Sequence, residues 1–384
     1  PNNWLSFFGG RAWSWDSRRQ QYYLHNFLKA QPNLNYSNPE VVEAMLNTAR
    51  FWFNHGVDGL RLDAIHSLKA DWEFPDNLPV ENPEPPELPQ ARQPFFRQRH
   101  DTAQLNQPAI QNFTAELRKV ADEYGDIFLM GEVDGEDAIA VSDTFSQPGR
   151  LHGTYNFDLL KWHGLETKDI KAAVSEAAKR IGTGQRLTFA LSNHDVPRSV
   201  SRMGKRHHVP HESFDDFQVM LTQFQTSLFG SNCLYQGEEL GFEDSDGLSH
   251  DQLQDPWGIE FYPTFLGRDT CRTPMAWKTG NDHAGFSTAE RPWLPVDNRH
   301  SDRAGLEQQG RPNSVFERTK AWFAWRKTQP ALMDGDFELI QTGDELIAFK
   351  RSCAEQSLVC VFNFSRYTQE LDGKQVPAYQ ALFY

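Results

Sequence analysis

The chain has 384 residues, a formal net charge of -14 and an aromatic content of 13%. A hydrophobic fraction of 39% is ordinary for a globular protein, and the length suits one large domain with a smaller one attached. The acidic excess argues against a nucleic-acid or anionic-membrane partner, and no apolar run approaches the roughly 20 residues of a membrane-spanning helix. Four scattered cysteines (Cys233, Cys271, Cys353, Cys360) have neither metal nor disulfide spacing, which fits a reducing, cytoplasmic compartment. The chain begins at Pro1, so the true N-terminus and any targeting signal are expected upstream.

Residues 1–36 show no clear period. Trp4, Phe7, Phe8, Trp13 and Trp15 crowd around Gly9-Gly10, as in a long excursion pinned by aromatic side chains. Asn38-Pro39-Glu40 opens a helix with a cap residue, a first-turn proline and an acid; Val41, Met45, Ala49 and Trp52-Phe53 continue it, and Gly56 stops it. Gly59-Leu60-Arg61-Leu62-Asp63-Ala64-Ile65-His66 then reads as a short buried strand ending on a carboxylate. Arg61 and Asp63 are two residues apart, so a strand places them on one face. The proline-rich stretch 73–94 is a loop, equally suited to a pocket wall or a solvated spacer.

Alternation continues with a helix over 108–124, a strand over 127–133 carrying Glu132, a helix over 137–145, a strand over 154–160 and a helix over 169–181. A strand over 187–195 ends in Asn193-His194-Asp195, followed by a helix over 214–229 and a strand over 232–237. Residues 241–312 lack a period and form a long insertion in which Trp257, Trp277 and Trp293 are expected anchors. An amphipathic helix spans 314–328, and from Phe337 short alternating strands indicate a small antiparallel β domain with a boundary near residue 331. Buried strands ending in acids, separated by helices, predict a (β/α)8 TIM barrel followed by a C-terminal antiparallel β domain. Only five barrel strands are legible where closure needs eight, so about three βα units are expected upstream.

Glycosidic hydrolysis needs two carboxyl groups flanking the bond, one ionised and one protonated. Asp63 and Glu132 end consecutive strands, and strands lie roughly 4.8 Å apart. Arg61 beside Asp63 favours its ionised form, while the apolar surroundings of Glu132 (Phe128, Leu129, Met130, Val133) push that carboxyl towards the protonated form. Asp195 is a third acid suited to sugar hydroxyls or a cationic transition state, with His194 as a hydrogen-bond donor. Singly, each has a plain alternative: a structural ion pair, a surface or capping Glu, a His-Asp turn. Metal ligation by His194 and the acids finds no HxH or HExxH spacing.

Gly59-Leu-Arg-Leu-Asp63-Ala, Met130-Gly-Glu132-Val and Leu191-Ser-Asn-His-Asp195 resemble three sequence blocks of the α-amylase family of glycoside hydrolases (family 13). Tyr22-Tyr-Leu-His-Asn-Phe, Gln31-Pro-Asn-Leu-Asn35, Tyr235-Gln-Gly-Glu-Glu239 and Gly267-Arg-Asp-Thr-Cys-Arg-Thr-Pro-Met-Ala-Trp277 are similar to its α-glucosidase and oligo-1,6-glucosidase branch. The resemblance implies that Asp63 is the nucleophile, Glu132 the acid/base and Asp195 the transition-state-stabilising acid. It implies supporting contacts from Arg61 and His194 and a pocket-forming role for Arg198. Ala64 beside the nucleophile goes with α-1,4 linkages in this branch and Val with α-1,6, although His66 replaces a common Asn.

The resemblance assigns residues 1–36 to the tail of the subdomain inserted after barrel strand 3, 37–330 to the barrel and 331–384 to the C-terminal domain. The family's first block and its first βα loop, where some members bind a divalent cation, are expected upstream; no cofactor is implied. The expected function is a retaining exo-acting α-glucosidase acting on short α-glucosides, with transglucosylation as a side activity. The alternatives are a glucosyl-transferring isomerase, a trehalose-phosphate or sucrose hydrolase, or a non-catalytic relative or inactive fragment.

Overall fold

The computed structural model describes residues 1–79, 105, 108–135, 138–180, 187–280 and 282–384. The remainder of the proline-rich loop predicted at 73–94 lies outside the described residues. Two compact units are present: Pro1–Asn156 with Gly182–Leu187, and Phe157–Ile181 with Thr188–Tyr384.

The first unit opens on an antiparallel hairpin, β1 (Trp13–Asp16) and β2 (Gln21–Leu24), with Trp15 opposite Tyr22. This short hairpin sits inside the irregular excursion expected from sequence, its four-residue strands too short to show a period, and buried Trp4 stacked on Trp13 pins the segment. Helix α1 (Pro39–Asn54) starts on the predicted cap, the Asn38 carboxamide oxygen accepting from the Glu40 amide at 2.9 Å, and Gly56 follows at φ +85°. Strand β3 (Gly59–Leu62), helix α2 (Ile110–Asp122), strand β4 (Phe128–Glu132), helix α3 (Ala138–Phe145) and strand β5 (Gly153–Tyr155) follow. β3, β4 and β5 pair in parallel, with Leu60 opposite Leu129 and Glu132 opposite Tyr155. Leu46, Ala49 and Phe53 of α1 and Ile110, Leu117 and Val120 of α2 bury their apolar faces with Leu129 in one core. Gly131 is required by that packing, since a Cβ there would lie 2.5 Å from the Leu151 side chain.

The second unit contains helix α4 (Thr167–Arg180), strand β6 (Leu187–Phe189) from Thr188 on, helix α5 (Ser199–Arg206), helix α6 (Phe214–Ser227) and strand β7 (Ser231–Asn232), with β6 and β7 parallel. The insertion predicted from residue 241 is irregular, with short helices α7 (Pro256–Phe261), α8 (Asn298–Asp302) and α9 (Gly305–Gln308). Of its three expected anchors, Trp277 and Trp293 are about half exposed, so neither pins the loop by burial. Helices α10 (Val315–Arg326, capped by Ser314) and α11 (Pro330–Asp334) lead into strands β8 (Asp336–Ile340), β9 (Leu346–Ser352) and β10 (Ser357–Asn363). The chain ends with β11 (Gln369–Leu371), β12 (Lys374–Val376) and β13 (Ala381–Phe383). The antiparallel sheet has the order β13-β10-β9-β8, and Phe224 of α6 packs on Phe362 of β10 at 5.3 Å between ring centroids. Among the described residues, no helix is long and apolar enough to cross a membrane.

Candidate active site

In the first unit the two predicted carboxyl groups meet. β3 stops at Leu62, earlier than the run to His66 suggests, because Ala64 adopts a left-handed conformation (φ 39°, ψ 41°) and a single 3-10 turn follows at Ile65–Ser67. This break carries Asp63 beyond the strand, where 81% of its side chain is exposed rather than buried. It also aims the Ala64 amide at Glu132, whose Oε2 accepts at 3.1 Å.

Arg61 bridges the pair. One guanidinium nitrogen bonds the Asp63 carboxylate, and Nη2 lies 2.5 Å from Glu132 Oε2. The Glu132 side chain is only 12% exposed. Burial pushes its pKa up to about 7 against the opposing pull of Arg61, and the neighbouring Asp63, close enough to share a hydrogen bond, adds to the rise. Behind the pair, buried His66 donates from Nδ1 to the Glu132 carbonyl at 3.4 Å, and burial holds its imidazole below the usual histidine range.

In the second unit β6 ends at Phe189, so His194 and Asp195 stand in the loop beyond it rather than on the strand. Asp195 Oδ1 accepts from Arg268 Nη1 at 3.0 Å and Arg272 Nη2 at 2.8 Å, and Oδ2 lies 3.3 Å from His194 Nε2. Arg272 also donates to the His194 carbonyl at 2.6 Å, fixing the backbone that presents both residues. Arg268 is itself oriented by Asp255, whose side chain is fully buried; burial alone would raise that carboxyl, but Arg268 holds it below the ordinary range. Sequence reasoning quoted the block containing Arg268 and Arg272 without giving either a role. The signal was two arginines four residues apart inside a stretch otherwise rich in Gly, Pro and Asp.

Arg198 is 1% exposed. It donates to the carbonyls of Gln236 at 2.8 Å and Cys271 at 3.2 Å, and its guanidinium stacks 4.8 Å above the Tyr235 ring. Its amide is held by Asp244 Oδ1 at 2.9 Å. These contacts make it a positioning residue for the surrounding loops. Glu238, also unassigned from sequence, accepts from Ser192 Oγ at 2.6 Å and Ser199 Oγ at 2.9 Å, tying the Asp195 loop to the start of α5. Among the described residues no group of three or more His, Cys, Asp or Glu is placed to hold a metal ion.

Such an arrangement supplies one carboxylate paired with a cation and one carboxyl protonated near neutral pH, side by side. That chemistry suits acetal cleavage.

Comparison with known proteins places the chain. The family model described as the alpha amylase catalytic domain matches residues 1–335. A probable alpha-glucosidase of Rhizobium meliloti (strain 1021) is 40% identical, the match covering 98% of this chain and 68% of the relative. An oligo-1,6-glucosidase of Halalkalibacterium halodurans is 31% identical over 95% of this chain and 67% of its own length. Among solved structures, the alpha-glucosyl transfer enzyme XgtA superposes with a TM-score of 0.91 at 37% identity, covering 100% of this chain and 74% of that one. With its parallel strands, its C-terminal antiparallel sheet and these relatives, the chain belongs to the alpha-amylase family of glycoside hydrolases, (β/α)8-barrel enzymes with a C-terminal antiparallel β domain, and to the alpha-glucosidase and oligo-1,6-glucosidase branch within it.

Proposed function

We propose that the protein is a retaining, exo-acting α-glucosidase that releases α-D-glucose from the non-reducing end of short α-glucosides, with α-1,4 linkages favoured. The observation that carries this reading is the Arg61-bridged pair of Asp63 and Glu132. Two carboxyl groups near enough to share a hydrogen bond leave no room for the water that inversion places between acid and base. In the first step Asp63 attacks the anomeric carbon while the bond to the leaving oxygen breaks and Glu132 gives that oxygen its proton. In the second, Glu132 takes a proton from water, which attacks the same carbon and frees Asp63. Asp195 is assigned the stabilisation of the cationic transition state, with Arg268 and Arg272 holding its carboxylate in place.

The test is the product. Proton NMR during maltose hydrolysis is expected to show α-glucose first, with β-glucose appearing only by mutarotation; β-glucose first overturns the retaining assignment. Side-by-side rates on maltose, isomaltose, trehalose and sucrose test the linkage. A transfer reading is favoured by the likeness to XgtA: the same glucosyl-enzyme passes its sugar to an acceptor hydroxyl in place of water. Oligosaccharides longer than the substrate would mark it.

The state of Glu132 fixes a pH dependence. Its pKa is raised, to about 7, so the acid form needed for leaving-group protonation predominates below 7 and is lost as pH rises through it. On maltose, kcat/KM is therefore expected to fall about tenfold per pH unit above 7. A plateau extending to pH 9 would exclude Glu132 as the acid.

A further inference from the structure

A cavity of about 560 Å³ lies in the second unit, within the roughly 300–1,000 Å³ of small-ligand sites. It is walled by the start of α4, the end of α5, the β8–β9 turn and the chain just after β10, and it shares no residue with the cluster around Asp195. Its charges cancel: Glu166, Asp344 and Glu345 stand against Lys168, Arg206 and Arg366. Glu166 and Arg206 already satisfy each other at 2.7 Å. A balanced set of donors and acceptors favours neither phosphate nor a cation; it suits hydroxyl groups, which donate and accept at once.

The apolar part of the wall is aromatic. Phe364 and Tyr379 are almost fully buried there, with the His207 ring 5.1 Å from Phe364. Burial lowers the His207 pKa against the opposing pull of the Leu165 carbonyl, to which its Nε2 donates at 2.9 Å. At the rim Tyr367 is 63% exposed, with Arg366 5.9 Å from its ring centroid. An aromatic ring open on one side beside hydrogen-bonding groups is the environment that the C–H face of a pyranose prefers. Two wall residues, His208 (φ 51°) and Tyr379 (φ 56°), hold left-handed backbone without being glycine, a strain that concentrates at ligand sites.

We propose that this cleft is a secondary site for a neutral oligosaccharide, separate from the carboxylates that cleave it. That the sugar is an α-glucoside rests on the function proposed above. The full chain carrying Asp63→Asn, in which turnover is blocked, is titrated with maltotriose by calorimetry. Adding Tyr367→Ala is expected to weaken one binding step at least tenfold, and Tyr367→Trp, which keeps the platform, is expected to preserve it. In chains with Asp63 intact, both Tyr367 variants keep kcat on 4-nitrophenyl α-glucoside within twofold. Maltotriose binding that is absent, or unchanged by Tyr367→Ala, overturns the proposal; so does saturable binding of inorganic phosphate that Arg366→Ala removes. If the Asp63-intact chain shows no turnover yet the Tyr367-dependent step persists, the glucosidase reading fails and the cleft stands.

Discussion

Asp63→Asn is expected to lower kcat on 4-nitrophenyl α-glucoside by roughly 10⁴–10⁶, the range seen when an enzymic nucleophile is removed, while substrate binding survives. An amide cannot form the glucosyl ester, yet it matches the carboxylate in size. The substitution leaves the fold intact because most of the Asp63 side chain is exposed. Glu132→Gln is expected to act differently on the two substrate types. Maltose, whose leaving sugar needs a proton, loses the larger factor; the 4-nitrophenyl glucoside, whose leaving group departs as a stabilised anion, loses less in the first step and then stalls as glucosyl-enzyme. A burst of 4-nitrophenol followed by slow turnover would register that stall. Wild-type-like kcat in Asp63→Asn, with an unchanged melting curve, would remove the nucleophile assignment and the mechanism with it.

The largest effect on stability is expected at Arg351→Met. Arg351, on β9, is 1% exposed, and burial lowers its pKa to about 10. Its guanidinium donates to the carbonyls of Ser227 at 2.6 Å and Leu228 at 2.9 Å, where α6 leaves its last acceptors unpaired, and to Gly335 at 2.8 Å and Asp336 at 3.2 Å. One cation therefore joins the end of a helix to the start of the antiparallel sheet. Methionine fills a similar volume but leaves these buried oxygens without donors, a loss of about 3–5 kcal/mol. Calorimetry should report a melting temperature lower by several degrees, and Arg351→Lys should recover only part of it, because an ammonium lacks the planar fork. An unchanged melt would mean that water reaches those carbonyls.

The elements legible in the sequence were those with caps and long periods. Asn38-Pro39-Glu40 announced α1, Ser314 lies at the predicted start of α10, and β9 and β10 are seven residues long and mostly apolar. Asp63 and Glu132 lie together because consecutive parallel strands bring their ends side by side, and the Arg61–Asp63 pair was expected from their spacing, whereas the reach of Arg61 to Glu132 was not legible. The failures share a cause, which is tertiary context acting over very few residues. The run 187–195 is apolar enough to read as one strand, but the chain leaves the sheet at Phe189, and Asn193 Oδ1 caps the turn by accepting from the Asp195 and Val196 amides. Helix α5 escaped notice because its buried residues are Ser199, Val200, Arg202, Met203 and Gly204, of which only Val200 and Met203 carry an apolar side chain large enough to show a period. The Arg268–Asp195 contact links residues 73 positions apart, and nothing local encodes it.

The left-handed backbone at Ala64 makes linkage engineering at this position a question of folding as well as selectivity. A branched β-carbon crowds the carbonyl in that conformation, so Val or Ile introduced beside Asp63 strains the turn whose amide steadies Glu132. Libraries randomised at residue 64 will therefore conflate two traits, how the enzyme discriminates among glucosidic bonds and how much properly assembled protein each clone yields.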